Sequence, residues 1–112
     1  GFRFAFEFRD QSWHNAEAYE ALTQIGAALC MFDSEGKSSP KHITADFVYI
    51  RLQGPGKRYR RRYSASMLSG WAGAISTWLD QGREIFCYFE SDPSGNAVLD
   101  ALRLQTMFTI RG

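Results

Sequence analysis

The stretch Phe2-Arg3-Phe4-Ala5-Phe6-Glu7-Phe8-Arg9 decides how this chain folds. Successive side chains of a strand point to opposite faces. Phe2, Phe4, Phe6 and Phe8 therefore share one face, and Arg3, Ala5, Glu7 and Arg9 share the other. The same separation recurs in Phe47 to Gln53, where Val48, Ile50 and Leu52 oppose Tyr49, Arg51 and Gln53. It recurs in Glu84 to Glu90, where Ile85, Cys87 and Phe89 oppose Phe86, Tyr88 and Glu90. The run from Ala27 is apolar until Asp33. Polar groups gathered at the far ends of successive strands are the pattern of a site at the carboxyl edge of a parallel sheet.

Between these runs the spacing predicts helices. Asp10 to Asn15 reads as a loop ending in a helix cap, and Ala16 to Ile25 as a helix with Tyr19, Leu22 and Ile25 on one face, closed by Gly26. Asp33 to Pro40 is loop by composition, with no convincing helix before the strand at Phe47. Ser66 to Gln81 places Leu68, Trp71, Ala72, Ile75 and Leu79 on one stripe. Trp71 and Trp78, seven apart, are expected in the packing of that helix. Asn96 to Phe108 is the last helix, with Ala97, Ala101, Leu104 and Phe108 in line. Strands joined by helical crossovers run parallel. A split between an apolar and a mixed polar face favours a closed barrel, or half of one, over an open doubly wound sheet.

Composition bounds the rest. The chain has 112 residues, is 45% hydrophobic and 15% aromatic, and carries a net charge of +1. That suits one packed domain or part of one and excludes disorder. No global field argues for nucleic acid or membrane, and no apolar run is long enough to span a bilayer. The chain begins with Gly1 and opens directly into a strand, with no secretory signal, which suggests a fragment of something longer. Cys30 and Cys87 are expected as two buried, reduced thiols, and the location as cytoplasmic.

At four segments the chain resembles a known family. Ala5 to Trp13, Ala28-Leu29-Cys30, Thr44 to Gly54 and Gly95 to Leu104 are similar to the "domain of unknown function 72", or YecE-like, proteins. Tyr59, Tyr63-Ser64, Trp71-Ala72 and Trp78 also fall where that family places such residues. The resemblance implies the carboxy-terminal half of a TIM-type (β/α)8 barrel: four parallel strands with about three covering helices, residues 1–112 forming a single partial domain. Gln53 stands where the family usually carries histidine and Ser91 where asparagine is usual, and Asn96 and Asp100 also depart from the commonest choices. The resemblance supplies no settled activity.

The strand ends carry the candidate chemistry. Arginine's fork suits carboxylate or phosphate, so Arg9 and Arg51 are the candidate anion holders, with Gln53 and Gly54 beside them. Glu7, Asp33 and Asp92 are candidate acids, bases or metal contacts. A divalent metal held by carboxylates is compatible with this set. No histidine pair has ligand spacing, His14 and His42 reading as lone, exposed loop residues. The structural alternative is an internal ion-pair network, Glu7 to Arg9 and Arg51 to Asp33 or Glu90. Asp92 to Asn96 leads into the last helix, whose amino end, with Gly95 and Asn96, attracts anions; an ordinary cap is the plainer reading. Trp13 is a candidate stacking wall or a plug for the first loop.

These features predict an enzyme, a hydrolase of phosphoester or phosphodiester bonds in its most concrete form, acting on a phosphorylated or anionic substrate at the carboxyl mouth. The alternative is a non-catalytic nucleic-acid-binding module that uses Lys57, Arg58, Arg60, Arg61 and Arg62, interleaved with Tyr59 and Tyr63. A third reading is an inactive half barrel. Two open sheet edges predict association with an amino-terminal half or a homodimer.

Overall fold

The computed structural model describes residues 3–34, 37–54, 63–90 and 95–111. Among these residues are five strands, β1 (Ala5–Phe6), β2 (Ala28–Ser34), β3 (Lys37–Ser38), β4 (Phe47–Gly54) and β5 (Glu84–Phe89), and three α-helices, α1 (Ala16–Ile25) after β1, α2 (Ala65–Asp80) after β4 and α3 (Asn96–Arg111) after β5. Strands β1-β2-β4-β5 lie in that order and all run parallel, with β3 antiparallel on β2. The parallel strands therefore add in sequence order across the sheet.

The helices cover one face. Met31 and Ile50 are register partners, so they point the same way. Leu29, two residues before Met31, packs with Leu22 of α1. Met31, Val48, Ile50 and Leu52 pack with Leu68, Trp71, Ala72, Ile75 and Trp78 of α2 and Leu104 of α3. The expected stripe of α2 is thus realised except at its end: Trp78 is buried, and Leu79 is exposed. Ile25 of α1 is likewise exposed rather than packed.

Local chemistry sets the boundaries. Asn15 caps α1 by accepting from the Ala18 amide at 2.8 Å, and Ser64 caps α2 by accepting from Met67. Gly26 ends α1 at φ 69, a left-handed conformation that favours glycine. A clamp joins α3 to the start of α2. Asp100 accepts from the Tyr63 amide at 2.9 Å, and Arg103 bonds both Asp100 and the Tyr63 carbonyl.

β1 is shorter than the alternation of Phe2 to Arg9 suggests. Ser39 takes both backbone groups of Phe32, accepting from its amide at 2.8 Å and donating to its carbonyl at 2.9 Å. Lys37 and Ser38 then pair with Ser34 and Asp33. This hairpin occupies the edge of β2 along which β1 would continue. Asp33, read as the start of a loop, is in fact inside β2. The link from β2 to β4 is pinned by Thr44, whose hydroxyl accepts from the Leu29 amide and donates to the Ala27 carbonyl.

Candidate functional site

The face without helices carries the charges. Phe32 and Arg51 are register partners, as are Arg51 and Tyr88, so Arg51 points away from the apolar core. Its Nη1 donates to Glu7 Oε1 at 2.9 Å and its Nη2 to Glu90 Oε2 at 3.4 Å. Arg9 Nε donates to the other oxygen of Glu7 at 2.9 Å. The carboxyl ends of β1, β4 and β5 are thereby tied together. At the opposite end Arg3 reaches Glu84 at 3.3 Å and lies over the Phe47 ring. Ion pairs therefore link the two edge strands at both ends of a curled sheet.

Two cavities share Glu7. The inner one, of about 450 Å³, runs along the concave face between Arg3 and Arg51, with Tyr49, Phe47 and Phe86 as its aromatic wall. The outer one, of about 210 Å³, lies at the strand ends and is lined by Glu7, Arg9, Phe32, Ser34, Lys37 and Gln53. Glu7 keeps 17% of its side chain exposed and Arg9 keeps 75%. The arrangement offers a held carboxylate beside two cations, Arg9 and Lys37, that face an open cavity. Cys30 backs the group, its thiol 3.8 Å from Glu7 Oε1. Burial, and then the charge of Glu7, push that thiol up to about 12, so it stays protonated and is no nucleophile at neutral pH.

The residues expected at the site divide clearly. Glu7, Arg9, Arg51 and Gln53 are brought together, and Gly54 ends β4 beside them. The ion pairs of the structural alternative are present for Glu7, Arg9, Arg51 and Glu90, but not for Asp33. Asp33 is one residue out of phase: it pairs with Leu52, on the helix-covered face. It is 3% exposed, accepts from Trp71 Nε1 at 3.5 Å, and leaves Oδ1 without a hydrogen-bond partner among the described residues. Burial raises its pKa against smaller opposing effects of Trp71, Ser38 and Lys41. Trp13 lines neither cavity; it is exposed, with its ring 6.0 Å from that of Phe8. Gly95, at φ 74, and Asn96 open α3, and neither lines the two cavities.

Asp92, Lys57, Arg58, Arg60, Arg61 and Arg62 lie outside the described residues. Cys87 is exposed, against the expectation of two buried thiols. His14 is not a free loop residue: it bonds the Phe8 carbonyl at 2.7 Å and the Tyr19 hydroxyl at 3.0 Å, while His42 stacks on Tyr19. Among the described residues no three His, Cys, Asp or Glu side chains gather as metal ligands. Nor is any described helix long and apolar enough to cross a membrane. Lys37 is the site residue that the sequence concealed. Its only signal was a lone cation within a stretch whose composition read as loop.

A family model described as "Protein of unknown function DUF72" matches residues 1–112. No curated protein matches the chain. Two solved structures are similar to it. A DUF72 family protein from Thermotoga maritima MSB8 is 24% identical with a TM-score of 0.82, over 96% of this chain and 46% of that one. A DUF72 family protein from Enterococcus faecalis V583 is 17% identical with a TM-score of 0.75, over 94% of this chain and 48% of that one. The chain thus spans a little under half the length of either.

Proposed function

Since this chain belongs to the DUF72 family of proteins of unknown function, we propose from its own geometry that it takes a small phosphorylated or otherwise anionic substrate at the carboxyl ends of its parallel strands. One observation carries the reading: the Glu7 carboxylate is gripped by Arg51 and Arg9 where the two cavities meet. Arg9 and Lys37 take the anion, since both face the outer cavity and Arg9 is largely solvated. Arg51, held between Glu7 and Glu90, fixes the carboxylate's position. Glu7 then serves as the general base, taking a proton from the water that attacks the phosphorus of the bound ester; the P–O bond to the ester's alcohol breaks as the new P–O bond forms, and the departing oxyanion is released to solvent, which protonates it. The sheet is read as half of a (β/α)8 barrel. Its strands add in sequence order, its helices cover one face, and barrels place their chemistry at this end.

The test uses inorganic phosphate for binding, with p-nitrophenyl phosphate and bis(p-nitrophenyl) phosphate for turnover. Arg9→Ala or Lys37→Ala should weaken phosphate binding about tenfold, the worth of one charge-assisted hydrogen bond. Glu7→Gln should abolish turnover while binding persists. No phosphate binding at low salt, or undiminished turnover in Glu7→Gln, overturns the reading.

A further inference from the structure

We propose that His14 is a positioning residue of the site: it holds the peptide unit from which Arg9 springs, and so keeps Arg9 on Glu7 and in the outer cavity. The inference rests on the reading of Arg9 as an anion holder. The ladder between β1 and β2 ends at Phe6 and Leu29. Glu7, Phe8 and Arg9 continue past that last pairing. Their side chains still alternate: Glu7 and Arg9 line the outer cavity, and Phe8 packs with Leu22, Ala27 and Leu29. The Phe8 carbonyl belongs to the planar unit that joins Phe8 to Arg9. His14 Nε2 bonds that carbonyl at 2.7 Å. Among the described residues this is the hydrogen bond that holds the backbone between Glu7 and Arg9.

The imidazole is itself oriented. A carbonyl only accepts, so Nε2 carries the proton. In the neutral ring Nδ1 is then an acceptor, and it takes the Tyr19 hydroxyl at 3.0 Å. Tyr19 is fixed in turn, because His42 stacks on its ring with centroids 4.4 Å apart. His42 lies in the link from β3 to β4 that Thr44 pins to β2. Its neighbour Lys41 sits over the Trp71 ring of α2. Contact therefore runs from the link, through α1, to the loop that carries Arg9.

Arg9 needs such a hold more than Glu7 does. Arg9 is largely solvated and meets Glu7 through Nε. Glu7 keeps Arg51 whatever Arg9 does. Without the His14 bond, the unit between Phe8 and Arg9 can rotate about its two soft dihedrals, which carries the guanidinium off the carboxylate. Loss of His14 should therefore damage anion binding and spare the base.

His14→Leu removes the donor, and His14→Gln returns an N–H at the reach of Nε2. Heteronuclear NMR in slightly acidic buffer follows the Arg9 Nε–H, which donates to Glu7 in the unmodified chain. Its signal should move to the position of a free arginine in His14→Leu and return in His14→Gln. Phosphate affinity should fall about tenfold in His14→Leu and recover in His14→Gln. It should fall no further in His14→Leu/Arg9→Ala than in Arg9→Ala alone, since one residue acts through the other. With bis(p-nitrophenyl) phosphate, KM should rise while kcat holds, whereas a merely structural loss would lower kcat as protein unfolds. Should His14→Leu fail to fold, His14→Asn takes its place, with an amide that reaches Tyr19 but falls short of Phe8. An Arg9 signal unmoved by loss of the donor overturns the proposal whether or not phosphate binds, and so do additive losses in the double variant. An Arg9 signal that moves as expected in a chain that binds no phosphate upholds the positioning role and overturns the anion site instead.

Discussion

The two faces of the sheet obey different rules although the same strands build them. On the helix side Leu29, Met31, Val48, Ile50 and Leu52 have almost no contact with water. On the concave side Arg3, Glu7, Tyr49 and Arg51 line a cavity, and Arg3, Glu7 and Arg51 are held by ion pairs. β4 shows both in one strand: Val48, Ile50 and Leu52 belong to the core, Tyr49, Arg51 and Gln53 to the cavities. The division of labour runs by residue parity. From Val48 to Gln53 the even positions pack into the core and the odd positions line the cavities, so neighbouring substitutions should have different consequences.

The sharpest break of that comparison is Ile50→Ala. Ile50 is fully buried among α2 side chains, and truncating such a residue costs about 2–5 kcal/mol. Urea unfolding should show a lower midpoint. A cost below about 1 kcal/mol would mean that the helix-covered face is not a packed core. Next comes Asp100→Ala, which removes the acceptor of the Tyr63 amide and one partner of Arg103 in a buried setting. About 1–3 kcal/mol should be lost, the cost of stranding a buried donor. A neutral result would show α3 to be held without the clamp.

Asp33 is the described carboxylate that lies on the dry face, and it sharpens the comparison through pH. Burial raises its folded pKa. The native state then keeps the proton to higher pH than the unfolded chain, whose value lies near 3.9. Where the unfolded state binds fewer protons, stability falls as pH rises. The contribution of Asp33 is therefore favourable at low pH and is lost as pH climbs from the ordinary carboxylate range through the raised value. Asp33→Asn should flatten that slope in denaturation profiles taken from pH 4 to pH 8. Parallel profiles for the two proteins would mean that Lys41, which sits over Trp71, fully compensates the charge.

Alternation made much of this legible. Phe47 to Gln53 and Glu84 to Glu90 needed only period-two counting, and the ends of α1 followed from its cap at Asn15 and from Gly26; α2 begins at Ala65 behind a Ser64 cap, one residue before the start the spacing gave it. Convergence of Glu7, Arg51 and Glu90 followed from the parallel crossovers. Asp33 was misplaced because an apolar run on both faces carries no parity signal, so its last residue could be assigned to either side. Lys37 was missed because a two-residue antiparallel strand has no periodicity to read. Its place at the site comes from Ser39 folding the chain back on Phe32, a tertiary event. Ile25 and Leu79 satisfied helical spacing yet stay exposed, since spacing names a stripe without saying how wide a neighbour covers it.

The smallest stability effect should come from the residue that matters most to the site. Glu7→Gln keeps the shape of the side chain and weakens its bonds to Arg51 and Arg9. Both arginines retain access to water, and Arg51 keeps Glu90. Partly solvated ion pairs contribute about 0–1 kcal/mol, so the unfolding midpoint should hardly move while phosphoester turnover disappears. That combination, set against Ile50→Ala, would place stability and chemistry on opposite faces of one sheet. A loss comparable to that of Ile50→Ala would instead make the Glu7 network a structural bolt across the strand ends, and the outer cavity would lose its claim to be a site.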